Sequence, residues 1–241
     1  FQGRGLDRSV DDTTGMVTGD WVETGVFFGL GGPASAGPTV TEYSKVSART
    51  TQVATDGVIG TTTYRLTVSL KGDAANLYTV YGTEENPLRM PAAYHEPAPF
   101  GTDIGGVSPT FFEFSPTAEY DSWLTVGITG GALSGELSAT GINFAMWADG
   151  PLTVADGALF WLEPDDGPRG ADIVVAQLTV TTGVTVTASL NLQGRGEDRT
   201  LDEETGLATG DWVETSIVFT LDGSAGTVGV PIDVFACTCI E

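Results

Sequence analysis

The sequence predicts an all-β fold, an antiparallel β-sandwich that carries one strand–loop–strand element twice. Three observations predict it. Short segments alternate apolar and polar residues, the period of a strand with one buried face. Between them stand Lys71-Gly72-Asp73, Asp149-Gly150-Pro151, Asp156-Gly157, Asp165-Asp166-Gly167-Pro168 and Asp222-Gly223, whose residue types favour tight turns. A passage of 30 residues at the start of the chain also returns 191 positions later, Gln2 reappearing as Gln193.

The clearest strand covers residues 64–70, where Tyr64, Leu66, Val68 and Leu70 fall on one face and are expected to be buried together. Further strands are expected at residues 77–81, 110–114, 123–128, 142–147, 158–162, 173–180, 184–190 and 212–221. No segment repeats with a helical period, and residues 87–94 hold at most a turn or two of helix. Residues 84–109 carry the weakest strand signal and predict a long loop lying over the sandwich. Trp123, Trp147 and Trp161 lie in otherwise apolar runs, so core filling is expected of them rather than a sugar-stacking platform.

The repeated passage reads FQGRGLDRSVDDTTGMVTGDWVETGVFFGL at its first occurrence and LQGRGEDRTLDEETGLATGDWVETSIVFTL at its second, with 18 of 30 positions identical. It divides the chain into a duplicated segment (residues 1–30), a strand-containing linking region (31–75), the main sandwich repeat (76–221) and a tail strand (222–241). Glycines flank Arg4 and Arg195, and the acidic runs Asp11-Asp12 and Asp202-Glu203-Glu204 read as solvated loop tips. Arg4, Arg8, Arg195 and Arg199 are scarce cations in an acidic chain, so each is expected to meet a carboxylate. That carboxylate lies either in the same subunit, as a brace, or in a neighbour, as a clamp. Trp21 and Trp212 are the expected anchors of the strand that follows. The first copy has three readings: the end of a preceding domain, a completion of this chain's own sandwich, or a filler for a neighbour's sheet edge. The apolar residues 231–240, with Phe235, Cys237 and Cys239, are a second candidate for contact with a neighbouring copy.

Charge narrows the partners. Ten basic against 32 acidic residues give a formal charge of -22, and Lys45 and Lys71 are the sole lysines. Such a surface repels nucleic acid and anionic membranes; it suits a saline medium or a halophilic source. No apolar run is long enough to span a bilayer, and no asparagine stands in an N-x-Ser/Thr sequon. Cys237 and Cys239, two apart, share a face of an extended strand and could bridge each other only with strain. A free or buried pair is expected, with an intermolecular disulfide or a metal contact as the alternatives. The chain opens on Phe1, which reads as the product of processing.

Catalytic chemistry is scarce. His95 is the sole histidine, which argues against a catalytic triad and a histidine-rich zinc site, and it reads as an exposed loop residue. No phosphate-binding or dinucleotide motif occurs. Glu113, Glu119, Asp121, Glu136 and Glu163 are the carboxylates from which a glycosidase pair would be drawn. Asp165-Asp166-Gly167 and Asp202-Glu203-Glu204 offer oxygens to Ca²⁺ but lack the EF-hand spacing, so solvated loops are expected. The expectation is a protein with no enzymatic activity and no cofactor.

Ala118-Glu-Tyr-Asp-Ser-Trp-Leu-Thr-Val-Gly127, Gly157-Ala-Leu-Phe-Trp-Leu-Glu-Pro-Asp-Asp166 and Val174-Val-Ala-Gln-Leu-Thr-Val180, leading to Leu192-Gln-Gly-Arg195, together resemble the pyrenoid shell proteins of diatoms. The likeness covers residues 76–221 and the duplicated segment 1–30. It extends more loosely to secreted β-sandwich proteins of marine microbes that carry a similar Asp-Ser-aromatic strand. The resemblance implies a chloroplast protein that polymerises with itself into a sheet or tube around the Rubisco matrix of the pyrenoid, supporting CO₂ fixation by enclosure. Components of that matrix are then further candidate partners. The low lysine content has no counterpart in what the family leads one to expect. The alternative is an extracellular carbohydrate-binding or hydrolysing sandwich, whose tryptophans and paired acids would line a groove. The two differ in where Trp21, Trp212 and the Arg-Gly passages sit.

Overall fold

Alternation of apolar and polar side chains builds two antiparallel sheets that pack as a sandwich, since each sheet has one face to remove from water. The structure, a computed structural model, describes residues 2–10, 17–22, 38–131, 135–201 and 208–223; residues 2–10, 17–22, 201 and 208–209 are described by backbone alone. Two units make up the chain: residues 1–34 with 230–241, and residues 35–229. In the first, β1 (Gln2–Val10) and β2 (Val17–Val22) form an antiparallel hairpin.

The second unit holds the sandwich. In chain order come β3 (Thr39–Glu42), β4 (Val46–Thr55), β5 (Thr61–Leu70), β6 (Thr79–Gly82), β7 (Leu88–Met90), β8 (Trp123–Leu124), β9 (Leu137–Thr140), α1 (Phe144–Asp149), β10 (Leu152–Val154), β11 (Gly157–Trp161), β12 (Ile173–Thr181), β13 (Val186–Leu201) and β14 (Ala208–Leu221). One sheet runs β3-β4-β5-β12-β8; the other runs β10-β7-β13-β6-β11-β9, with β14 paired to β13. Thus residues 39–70 supply three strands of a sheet whose other members come from beyond residue 120.

The core follows the alternation. Tyr64, Leu66 and Val68 of β5 are buried as expected, with Leu70 half-buried at the strand end. Leu178 and Val180 of β12 and Leu190, Leu192, Ile217 and Phe219 of the β13–β14 pair join the same cluster. Trp123 and Trp147 are among the largest fully buried side chains. Trp161 packs partly buried against the core and donates its indole N–H to the Val126 carbonyl at 2.8 Å.

Several sequence expectations are corrected. Residues 110–114 form a 3₁₀ turn at Pro109–Phe111 and a following hydrogen-bonded turn, because Pro109 sets the opening φ of a turn. Residues 142–147, expected as a strand, enter helix α1, where a single buried face carries Trp147. A six-residue apolar run does not distinguish the two periods. The stretch at 87–94 holds β7 rather than a helical turn, and the strand expected at 123–128 ends at Leu124.

The long segment before β8 is fastened by one carboxylate. Asp121, fully buried, accepts the N–H groups of Glu96 (2.8 Å) and Ser122 (2.9 Å) on Oδ1 and of Thr102 (2.7 Å) on Oδ2. Gln177 of β12 completes the joint: its amide donates to the carbonyls of Glu119 and Asp121, and its oxygen receives Arg65 Nε and Nη2. Buried polar groups thereby find partners where no strand ladder supplies them.

At the outer edge of β14, the Tyr43 hydroxyl accepts the Val218 N–H at 2.7 Å and lies 3.4 Å from the Val218 carbonyl. Glu214 receives the backbone N–H of Lys45 at 2.7 Å. Side chains thus occupy an edge that would otherwise present backbone groups to another strand.

Burial pushes the Asp121 carboxyl up to about 6, against the pull of its three N–H donors. The folded chain holds this proton more tightly than the unfolded chain does. The group therefore adds stability as pH falls from about 6 towards 4, and that contribution is lost as pH rises through 6. In urea titrations, the stability difference between the wild type and Asp121→Asn should move in favour of the wild type by about 2–3 kcal/mol between pH 7 and pH 4. A pH-independent difference would contradict this account of the clamp.

Candidate functional site: the anchored hairpin

The second copy of the repeated passage forms most of the β13–β14 pair, and the glycines it shares with the first copy have steric reasons. A Cβ on Gly194 would lie 1.8 Å from the Asn76 carbonyl oxygen and 2.6 Å from the Trp212 ring, far inside contact distance, so no side chain fits. Gly210 takes φ +88°, a left-handed conformation that favours glycine, next to a register shift between Arg195 and Thr200.

Asn76, also fully buried, is where the hairpin meets the rest of the sandwich. Its Oδ1 accepts the Arg195 N–H at 2.8 Å, its Nδ2 donates to the Pro164 carbonyl at 2.8 Å, and its own carbonyl accepts the Trp212 indole N–H at 3.1 Å. The Ala75 N–H adds a bond to the Arg195 carbonyl at 2.8 Å.

Arg195 is the second fastening. Its Nη1 reaches both oxygens of Asp211 at 3.0 and 2.8 Å, and its Nε reaches Asp165 at 2.8 Å. The guanidinium lies 5.0 Å from the Tyr78 ring centre, in range for a cation–π contact, and the Tyr78 hydroxyl donates to Asp211 at 3.0 Å. Arg199 Nη1 approaches the same Asp165 at 3.3 Å. Burial works against the charge on Arg195, but its bonds to Asp211 and Asp165 outweigh burial and raise its pKa. Burial, and then the bond to Asp211, push the Tyr78 phenol up. A hollow of about 600 Å³ opens beside this network, bordered by Asp165, Arg169, Arg195 and Arg199.

The backbone of the first copy follows the same plan. In β1–β2, Gln2 pairs with Val22, Gly3 with Trp21, Arg4 with Asp20, Ser9 with Thr18 and Val10 with Val17, with a register shift between Arg4 and Ser9. In β13–β14, Gln193 pairs with Val213, Gly194 with Trp212, Arg195 with Asp211, Thr200 with Thr209 and Leu201 with Ala208. Every pair is displaced by 191 positions, and the irregularity falls at the same place.

The structure brings Arg195, Arg199 and Trp212 together and uses them within the subunit as a brace. Arg4, Arg8 and Trp21 belong to the backbone-described hairpin; Phe235, Cys237 and Cys239 lie outside the described residues, as does the acidic run 202–204. Asp165, read in the sequence as a possible calcium ligand, instead receives two arginines. Among the described residues, no group of three or more His, Cys, Asp or Glu side chains is placed to hold a metal ion. Glu113, Glu119, Glu136 and Glu163 are exposed, whereas Asp121 is fully buried.

His95 corrects its expectation of an exposed loop residue. Its side chain is 13% exposed, packed edge-on against Trp147 with ring centres 4.6 Å apart, and its Nδ1 lies 4.0 Å from Asp121. Burial lowers the imidazole pKa. It borders a second hollow of about 410 Å³ with Glu96, Asp103 and Asp121.

Sequence reasoning missed Asn76 and Tyr78. Nothing in Ala75-Asn76-Leu77-Tyr78 announces a buried amide, because its partners are mostly backbone groups about 90 to 135 residues away. Comparison with family models, with curated proteins and with solved structures returns no match. No helix among the described residues is long and apolar enough to cross a membrane.

Asn76→Ala would leave the part-buried Arg195 N–H and Pro164 carbonyl without their partner and is expected to cost about 2–3 kcal/mol. Arg199→Ala, whose contact to Asp165 is looser and partly exposed, should cost no more than about 1 kcal/mol. Chemical denaturation of both variants checks the ranking, and equal costs would show that the joint does not centre on Asn76.

Proposed function

We propose that this protein is a structural, self-assembling protein that forms a sheet-like shell around the Rubisco matrix of a pyrenoid in the chloroplast, with other copies of itself as its main partner. The observation that supports this reading is a hairpin present twice in matching register, once within a sandwich sheet and once as a two-stranded sheet. A second fastening element gives each subunit two related but unlike contact surfaces, and heterologous contacts of that kind propagate without closing. The charge of -22 opposes face-to-face stacking of layers and favours a thin sheet over a precipitate. The shell of a pyrenoid, as opposed to some other layer, follows from the sequence resemblance and carries no reaction of its own. Carbohydrate chemistry draws less support: Trp123, Trp147 and Trp212 are each at most 4% exposed and offer no stacking platform.

Negative-stain electron microscopy of the purified chain over a range of protein and salt concentrations should reveal sheets or tubes. Tagged and expressed in the plastid of a pyrenoid-bearing alga, the protein should outline the Rubisco compartment. Dispersed monomers under all conditions would sink the assembly reading, and a layer formed in vitro with no pyrenoid outline would sink its placement.

A further inference from the structure

We infer that the β1–β2 hairpin docks on a second copy of this chain, at the surface made by Asn76, Tyr78 and Asp165, in place of that copy's own β13–β14 hairpin end. The inference rests on the self-assembly reading and specifies its contact.

The argument is one of matching parts. The surface requires a glycine where the Asn76 carbonyl comes closest, an arginine for Asp165, an aspartate for the Tyr78 hydroxyl and an indole N–H for the Asn76 carbonyl. Gly194, Arg195, Asp211 and Trp212 meet these requirements in the resident hairpin. The first copy supplies Gly3, Arg4, Asp20 and Trp21, at backbone positions with the same register and the same irregularity. Arg8 likewise corresponds to Arg199, the second arginine on Asp165.

Substitutions between the copies fall on exposed positions and also on buried Leu192 and Ile217, which stay apolar as Phe1 and Val26. Glu197, which is exposed, corresponds to Leu6, and exposed Val218 corresponds to Phe27. Gly194, Arg195, Arg199, Asp211 and Trp212, which make the contacts to Asn76, Tyr78 and Asp165, all have identical counterparts in the first copy. Gly3 keeps the position open as Gly194 does, where a Cβ would meet both the Asn76 carbonyl and the hairpin's own Trp212 ring.

Each chain thus carries two hairpins suited to one surface. Because the contacting residues are the same, exchange between resident and incoming hairpin is nearly neutral in contact energy. Occupancy is then set by effective concentration. In dilute solution the resident end wins; in a packed layer neighbouring hairpins compete. Every exchange releases a resident end that can enter a further copy, so the linkage is directional and open-ended.

A charge-swap experiment on full-length chains tests this. One chain carries Asp165→Arg, the other Arg4→Asp with Arg8→Asp, and melting curves verify that both stay folded. Size-exclusion chromatography with light scattering, and electron microscopy, follow assembly of each alone and of the mixture. Each variant alone should lose at least 10-fold in assembled mass at a concentration where the wild type assembles, and mixing them should restore hetero-assemblies. Gly3→Ala, a milder change, should reduce assembly while leaving the melting transition in place. Wild-type-like assembly by the Arg4/Arg8 and Gly3 variants would overturn the hairpin contact while leaving self-assembly intact. Loss without rescue on mixing would overturn Asp165 as the receiving group. A wild type that never assembles would remove the self-assembly reading and this inference with it.

Discussion

The β13–β14 end is held where it is by the buried amide of Asn76. One side chain satisfies the N–H of Arg195 and the carbonyl of Pro164, while the backbone of the same residue receives the Trp212 indole. Three separate stretches of chain meet at that point. A buried polar group with all its partners fixes one geometry, because any shift leaves a donor or acceptor unpaired in a region that water does not reach. Gly194 is obligatory for this reason: the amide and the indole can be placed together only if nothing projects between them.

Charge has a different task on either side of that joint. Over most of the surface the acidic excess is unspecific and keeps molecules apart. At Arg195 and Arg199 positive charge is concentrated and oriented: Arg195 reaches Asp211 through Nη1 and Asp165 through Nε, and Arg199 adds a second contact to Asp165. Cations are scarce enough in this chain that their position carries information. A lysine at position 195 would keep the charge but lose the simultaneous reach to two carboxylates.

How much of this was legible in the sequence depends on the distance over which each feature is decided. Strands such as β5 and β12 are written locally, by alternation and by the turns that bound them, and the two sheets follow. Helix α1 was not legible, since six residues with one buried tryptophan fit either period. The brace residues Arg195, Arg199 and Trp212 stood out because the passage recurs and because arginine is rare. Their receivers did not. Asn76 and Tyr78 acquire their roles from Arg195, Trp212 and Asp211, all more than 100 positions away, and Asp165, expected in a solvated loop, receives arginines 30 and 34 positions further on. His95 seemed exposed because nothing nearby reveals that Trp147 covers it.

The pairing of β5 with β12 has a consequence in time. Arg65 and Gln177 meet across 112 residues, and Tyr43 and Val218 across 175, so much of the sandwich waits on late-synthesised segments. Closing loops of that length is slow relative to local pairing. During synthesis β3, β4 and β5 emerge as a three-stranded sheet whose β12 edge stays open until more than 100 further residues have been made. The nascent chain is then most vulnerable to misassociation, and the acidic excess that repels like chains is written mostly beyond residue 70, so it builds up only as the missing strand is approached.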